Sequence, residues 1–182
     1  ICASPHRAAR QPDILKRMAL SDTQLAPPAR PAHQRVRYVG ICGSDLHYYY
    51  EGANGAFVVR EPLVPGHELS AVVDLDPSGE WTPGTPVTVH PATFGPDLPG
   101  MEHLRHLRPG GSYLGRASTW PHTQGALAEL LLMPRYALRR LPEGLDLKRA
   151  ALAEPLAVAL HACTLAGDLS GKSVVVSGAG PI

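Results

Sequence analysis

Short apolar stretches separated by proline and glycine turns are the feature that most constrains the fold of this chain. Residues 35–39 alternate polar and apolar side chains, as expected of a half-buried strand. Further strands are predicted over residues 69–75, 86–90 and 126–133, with turn residues such as those at 77–79 between them. Short strands joined by turns of this kind are typical of a small all-β barrel, so the sequence predicts a mainly β fold.

Composition and charge exclude several classes of function. Hydrophobic residues make up 44% of the chain and charged residues 18%, which leaves enough apolar surface for a core. The formal net charge is +1, from 17 basic and 16 acidic residues. A chain this close to neutrality lacks the basic surface that nucleic acid or an anionic membrane requires, so neither is expected as a partner.

The cysteines indicate a reducing compartment. Cys2, Cys42 and Cys163 are odd in number and widely spaced, which does not fit a disulfide framework. No apolar run is long enough to span a bilayer, and the N-terminal residues lack the apolar core of an export signal. We therefore expect a cytoplasmic protein.

The chain divides into three regions. Residues 1–34 carry several prolines and scattered arginines without alternation, and are expected to be poorly ordered or divergent. Residues 35–147 contain the predicted strands. Residues 148–182 begin with a helical composition that Pro155 interrupts; proline is tolerated in a first turn but not in a helix interior, so two helices are predicted.

Helix boundaries place one carboxylate at a junction. Asp146 is a plausible N-cap for the first of the two helices. Glu154 falls between them, where it either points into a cleft or simply stabilises the start of the second helix with its negative charge.

The end of the chain has the pattern of a nucleotide-binding strand and turn. Residues 173–177 include a β-branched run typical of a strand buried on both faces of a parallel sheet. Gly178 and Gly180 follow at once, as in the glycine-rich turn that lets backbone amides approach a pyrophosphate. Gly178, Gly180, Pro181 and Ile182 are therefore predicted to bind a dinucleotide cofactor at the start of a truncated Rossmann domain.

Four reactive side chains lie within six residues of one another. Cys42, Ser44, Asp45 and His47 follow Gly40 in one short stretch, which can place a soft metal ligand beside a proton-transfer group. A single cysteine is more often only a small apolar residue, so its partners decide the interpretation.

Those partners form a zinc-type ligand set. Zinc takes thiolate, imidazole and carboxylate ligands, and a catalytic site keeps three protein ligands and one open position. Cys42, His67 and either Glu68 or Glu154 supply three. Because neighbouring residues on a regular strand point to opposite faces, His67 and Glu68 can reach one metal only where the backbone is irregular.

Four motifs in the same order resemble the zinc-dependent medium-chain dehydrogenases, and most of all their sorbitol and L-idonate 5-dehydrogenase branch. The motifs, within residues 35–182, are GICGSDLHYY, PGHE, AEPLAVALHA and VVVSGAGPI. The resemblance implies a GroES-like catalytic barrel followed by a Rossmann domain, of which this chain is an N-terminal fragment. It also implies a homo-oligomer that oxidises a secondary alcohol of a polyol or sugar acid, with hydride transfer to NAD or NADP.

The resemblance also implies roles for single residues. Ser44 matches the hydroxyl of a proton relay, and His47 matches the imidazole that passes the proton to solvent. Asp45 matches a carboxylate that hydrogen-bonds the zinc-binding imidazole of His67, and Tyr48 matches a residue of the substrate cleft.

The third zinc ligand stays open between two glutamates. In the sorbitol-like branch Glu68 is the matching ligand, and Glu154 holds the zinc-bound water or enters the ligand shell. The ethanol-type branch has a cysteine in place of Glu154, so this glutamate favours a polyol or sugar acid as substrate.

A cysteine-free stretch and three histidines bear on whether there is a second metal site or a further cleft residue. Many members of the family carry four cysteines for a structural zinc, but residues 92–113 contain none, so one zinc is expected. His103 and His106 are predicted to lie on a solvated helical turn. His122, in a segment that resembles the approach to the substrate cleft, is either a polar residue that lines the cleft or a hydrogen-bonded loop residue, and the second alternative is favoured.

Two other interpretations compete. The chain is alternatively a catalytically inactive zinc-binding barrel or remnant, and the isolated 182 residues are expected not to turn over a polyol. A zinc-free reductase of the same superfamily is disfavoured because such enzymes lack the set formed by Cys42, His67 and Glu68.

Overall fold

The computed structural model describes residues 31–178. The predictions for residues 1–30, and for Gly180, Pro181 and Ile182 as cofactor-binding residues, lie outside this range. The strands within it are β1 (Ala32–Gly40), β2 (Ala53–Asn54), β3 (Phe57–Val58), β4 (Glu68–Leu75), β5 (Pro86–Val89), β6 (Ala92–Thr93), β7 (Ser112–Tyr113), β8 (Leu130–Met133) and β9 (Leu138–Arg140). The α-helices are α1 (Gly43–Glu51), α2 (Leu147–Ala150) and α3 (Ala153–Ala166).

A five-stranded antiparallel sheet in the order β8-β1-β4-β5-β9 is the centre of the fold. The pairs β2–β3 and β6–β7 form two smaller sheets. The prediction of a mainly β fold is confirmed. Strand β1 begins at Ala32, three residues before the predicted strand, and only the last part of the stretch predicted over 126–133 is a strand.

Alternating apolar residues of the central sheet form the main core. Leu69, Ala71 and Val73 of β4 are fully or almost fully buried, and Val87 of β5 and Leu131 of β8 pack into the same cluster. Burying a valine or leucine side chain contributes about 1.5–3 kcal/mol to the stability of the fold. The core therefore holds β1 and β4, the two strands that lead to the candidate site, in a fixed register.

Helices α2 and α3 confirm the predicted pair. The Asp146 carboxylate accepts a hydrogen bond from the backbone amide of Arg149, as expected of an N-cap. Pro155 is in the first turn of α3, where backbone amides have no partner within the helix, so its missing N–H costs nothing.

The predicted strand at residues 173–177 is not formed. Val175 is 91% exposed and Val176 82% exposed, and neither belongs to a strand. A β-branched run becomes a strand only where another strand pairs with it, and none does so within residues 31–178. Over the same residues, no helix combines the length and apolar character needed to cross a membrane.

Candidate metal centre

The junction between β1 and α1 positions the thiol. Strand β1 ends at Gly40, and Cys42 is the N-cap residue of α1 with an extended backbone. Asp45 lies in the first turn of the helix, and its Oδ2 atom accepts a hydrogen bond of 3.0 Å from the Cys42 amide. The N-cap position and this hydrogen bond therefore fix the backbone that carries the thiol.

An irregular backbone positions the imidazole. Gly66 has a φ of +93°, which side chains other than glycine rarely adopt, and β4 starts only at Glu68. His67 thus lies just outside the regular strand. The irregularity that lets neighbouring residues face one metal is present, so His67 and Glu68 need not point in opposite directions.

Cys42, His67 and Glu68 come together as predicted. One ligand atom from each lies within 4.8 Å of the others, and among residues 31–178 no other three histidines, cysteines or acidic residues do so. His67 is 1% exposed and Glu68 is buried, while Cys42 is half-buried. Thiolate, imidazole and carboxylate are the ligand types that zinc binds, so these residues fit the metal that the sequence implies.

Burial controls the charge of two of these residues. Burial lowers the pKa of His67, although the negative charges of Asp45 and Glu154 partly oppose this effect. Burial raises the pKa of Glu68, and the nearby Glu154 and Asp45 carboxylates raise it further. A neutral imidazole is the form that binds a metal, and a cation bound here would favour the ionised carboxylate.

Asp45 is placed differently from the expectation. Its Oδ1 atom accepts a hydrogen bond of 3.2 Å from the Gly66 amide, in addition to the bond from Cys42. His67 Nδ1 is buried and has no hydrogen-bond partner in the described part of the chain. Asp45 therefore joins the two backbone segments that carry Cys42 and His67, and the expected bond to the imidazole through Nδ1 is not formed.

Glu154 lies beside the three clustered residues without joining them. The hydroxyl of Tyr113 donates a hydrogen bond to the Glu154 carboxylate, and the Tyr113 ring meets His67 edge-on at 5.4 Å between ring centroids. Burial, followed by this bond and the charge of Glu154, raises the pKa of Tyr113. The geometry favours Glu68 as the third ligand and leaves Glu154 close enough to influence the site.

Sequence reasoning missed Tyr113 and its neighbour Arg116. The guanidinium carbon of Arg116 lies 5.2 Å from the centroid of the Tyr113 ring. Tyr113 is the last residue of the cysteine-free stretch 92–113, Arg116 lies just beyond it, and neither belongs to a recognisable motif. The only local signal for these two residues was the spacing itself, an aromatic residue followed three positions later by an arginine.

Ser44 and His47 lie one helical turn apart on α1. Ser44 is buried, and its Oγ atom has no hydrogen-bond partner within residues 31–178. The His47 side chain is 55% exposed, with Nδ1 3.4 Å from Glu51 Oε1. Residues three apart on a helix are neighbours, so this pair runs from the interior next to Cys42 to the solvent.

The structure corrects the expected position of Tyr48. It is 0% exposed, packs in a small core with Val59, Leu63 and Ala117, and accepts a hydrogen bond of 3.2 Å from the Ala117 amide at its hydroxyl. Tyr48 therefore connects α1 to the loop at Ala117 and, with no exposed surface, does not line a cleft. Its burial follows from the face of α1 that it shares with Ser44.

Three histidines outside the cluster lie in turns or loops, as favoured from the sequence. His122 is buried, with Nε2 accepting from the Arg60 amide at 2.9 Å and Nδ1 2.8 Å from the Thr119 carbonyl, so it is a hydrogen-bonded loop residue. His103 and His106 are exposed at a short 3₁₀ turn.

Comparison with known proteins gives consistent matches. The family described as "Alcohol dehydrogenase GroES-like domain" matches residues 32–143. L-idonate 5-dehydrogenase (NAD(P)(+)) from Escherichia coli is 40% identical over 144 residues, covering 79% of this chain and 42% of the relative. D-xylulose reductase A from Aspergillus oryzae is 40% identical over 166 residues, covering 86% of this chain and 44% of the relative.

A solved structure shares the fold. The crystal structure of L-idonate 5-dehydrogenase from Escherichia coli superposes with a TM-score of 0.78 at 36% identity, covering 84% of this chain and 44% of that one. The chain thus spans less than half the length of the relatives that it matches.

Proposed function

The chain belongs to the alcohol dehydrogenase family with a GroES-like domain, and on this premise we propose that it carries the zinc-binding catalytic half of an NAD(P)-dependent dehydrogenase. The reaction is the reversible oxidation of a secondary alcohol, with hydride passing to the nicotinamide. The observation that carries this proposal is the approach of Cys42, His67 and Glu68 to within 4.8 Å of one another.

These three residues would hold the zinc. A zinc ion bound there supplies a Lewis acid, which lowers the cost of removing the proton from an alcohol. The backbone of Cys42 is held by the hydrogen bond from its amide to Asp45, and the His67 imidazole is held by burial. Glu154, hydrogen-bonded to Tyr113, is the alternative third ligand, or the residue that orients a water molecule at the site.

Ser44 and His47 are proposed to carry the alcohol proton away. The buried, unpaired Ser44 hydroxyl can accept a proton from inside the site and donate its own towards His47. His47 is exposed, and histidine is the side chain best suited to exchange protons with water near neutral pH. Glu51 lies beside it, with Oε1 3.4 Å from His47 Nδ1.

A polyol or a sugar acid is the proposed substrate, and NAD or NADP the proposed cofactor. The named activities of the relatives from Escherichia coli and Aspergillus oryzae support both. We also propose one zinc per chain, a homo-oligomeric complete enzyme and a cytoplasmic location, the last because Cys42 and Cys163 are free thiols.

Zinc content of the purified chain tests the proposal. We expect about one zinc per wild-type chain, and none above background in Cys42→Ala. Cys163→Ala is the matched control, since Cys163 is an exposed free thiol on α3, and it should retain the zinc. A folded wild-type chain that binds no zinc, or a Cys42→Ala variant that keeps it, would contradict the proposal.

A further inference from the structure

A cavity of ≈ 420 Å³ is lined by none of the metal-site residues described above. Its walls come from the segments that follow β5 and β6, from the 3₁₀ turn that contains His106, and from β9 with the turn before it. The cavity is within the usual size range of a small-molecule site. Its permanently charged wall residues are three arginines and one aspartate, namely Arg105, Arg108, Arg139 and Asp97.

The single carboxylate of the cavity neutralises only one of the arginines. Arg108, whose side chain is 5% exposed, forms an ion pair with Asp97 and donates a hydrogen bond of 3.2 Å to the Met101 carbonyl. Within residues 31–178, neither Arg105 nor Arg139 forms an ion pair with an acidic residue. The cavity therefore keeps two uncompensated positive charges.

Neutral groups hold these two arginines in place. The guanidinium carbon of Arg105 lies 4.7 Å from the centroid of the Phe94 ring. Arg139 Nη1 donates to the carbonyls of Tyr136 at 2.6 Å and Leu138 at 2.9 Å. These contacts orient both guanidinium groups without cancelling their charge, so less side-chain freedom is lost when a ligand binds.

The N–H groups of both arginines can be reached from solvent. Arg105 and Arg139 are exposed residues. Arg139 Nε and Nη2 make no hydrogen bond to the described part of the chain, because both of its recorded bonds come from Nη1. A ligand in the cavity would therefore meet charged donors that have no acceptor within the protein.

We propose that this cavity is a binding site for a small organic anion, a phosphate ester or a carboxylate, held between Arg105 and Arg139. Guanidinium groups bind the oxygens of both anions through charge-assisted hydrogen bonds, often two at a time. An anion between the two arginines also offsets the repulsion between their like charges. Because the site shares no residue with the metal centre, the inference goes beyond the proposed function and does not depend on it.

Titration of the full chain with inorganic phosphate and with succinate tests the inference. The protein is stripped of zinc, so that neither anion binds through a metal, and sodium chloride keeps the ionic strength constant. Calorimetry should show saturable binding of one anion per chain in the millimolar range or tighter. The probe that binds more tightly identifies the anion, and no saturable binding of either would overturn the inference.

Two arginine substitutions and a neighbouring control locate the site. Arg105→Gln and Arg139→Gln should each weaken binding by about tenfold or more, as expected for lost hydrogen bonds to a charged group. Arg140 follows Arg139 on β9 and lies over the Trp81 ring, 5.2 Å from its centroid, so Arg140→Gln removes the same charge from the opposite face of the strand. Unchanged affinity in either cavity variant, or an equal loss in Arg140→Gln, would overturn the inference.

A measurement on wild type covers a variant that does not fold. The Nε–Hε NMR signals of Arg105 and Arg139 should shift with the bound probe while that of Arg140 stays in place, and unmoved signals for the first two would overturn the inference. Every titration is made without zinc. Failure of anion binding therefore leaves the zinc proposal untouched, and a chain that binds no zinc leaves the anion site untouched.

Discussion

Gly40 faces Glu68 across the β1–β4 pair, and the absence of a side chain at Gly40 leaves the space that the Glu68 carboxylate occupies. A Cβ atom at Gly40 would overlap Glu68 Oε2. We therefore expect Gly40→Ala to displace the carboxylate and to weaken zinc binding by about 10–100-fold, the range seen when support of a metal ligand is lost. Competition with a zinc-sensitive chelator measures the change.

Gly43→Ala is the matched control for that substitution. Gly43 lies on the other side of Cys42, in the first turn of α1, and a Cβ atom there meets nothing within 4 Å. Alanine is favoured over glycine in a helix, so this variant should keep wild-type zinc affinity and fold at least as stably. Equal zinc affinities of the two variants would show that Glu68 is not a ligand.

Asp45 should contribute to stability even without metal. Its buried carboxylate accepts from the amides of Cys42 and Gly66, and thus joins the two segments of the site. An asparagine can present only one oxygen to two N–H donors. Asp45→Asn should lower the free energy of unfolding by about 1–3 kcal/mol, measured by urea denaturation with a chelator present.

The control for Asp45→Asn is an acidic residue in a surface ion pair. Asp74 pairs with Arg35, and both side chains are substantially exposed. Asp74→Asn should cost less than about 1 kcal/mol, as is usual for exposed ion pairs. If Asp45→Asn lowers the free energy of unfolding no more than Asp74→Asn does, then Asp45 does not hold the two segments together.

Local patterns in the sequence were enough to predict several elements. The strand at residues 69–75 depends only on the alternation of polar and apolar residues, and it was predicted correctly. The N-cap at Asp146 depends only on a hydrogen bond between its side chain and a nearby backbone amide, and it was also correct. The strand at residues 173–177 was wrong, because a strand also needs a neighbour, which no pattern within the run can supply.

The candidate site was predictable in its ligand types but not in its surroundings. Cys42 and His67 can be identified from the sequence because their thiol and imidazole groups are typical zinc ligands. That Glu68 could face the same metal depended on the backbone at Gly66, which a regular strand pattern does not reveal. Contacts such as that of Tyr113 with Glu154 join residues 41 positions apart, so only the fold brings them into view.

Tyr113 should hold the start of α3 against the site through its hydroxyl. None of the residues of α3 is buried, so the bond to Glu154 is one of few restraints on this helix in the described chain. Tyr113→Phe keeps the ring beside His67 but removes this bond. We expect amide hydrogen exchange in the first turns of α3 to accelerate about tenfold, equivalent to roughly 1.4 kcal/mol.

Two controls distinguish this effect from a general loss of structure: the zinc content of Tyr113→Phe, and amide hydrogen exchange in a second variant. Tyr113→Phe should still bind zinc, because it leaves Cys42 and His67 untouched. Tyr136→Phe, at a tyrosine that is 68% exposed, should leave the exchange of α3 unchanged. Unchanged exchange in Tyr113→Phe would mean that the hydroxyl does not restrain the helix.

Asp76 makes the fold sensitive to acid. Burial alone would raise the pKa of Asp76, but hydrogen bonds from Ser78 and Trp81, together with the Arg135 guanidinium, hold this pKa below its usual 3.8. A carboxyl whose pKa is lower in the folded state stabilises the fold above its unfolded pKa, and this stabilisation is lost as the pH falls through the folded value. Asp76→Asn should therefore be less stable than wild type at about pH 7, and the difference should narrow below about pH 4. Urea denaturation of wild type and Asp76→Asn across this pH range measures the difference in their free energies of unfolding. If this difference is the same at every pH, the pKa of Asp76 is not lowered by folding.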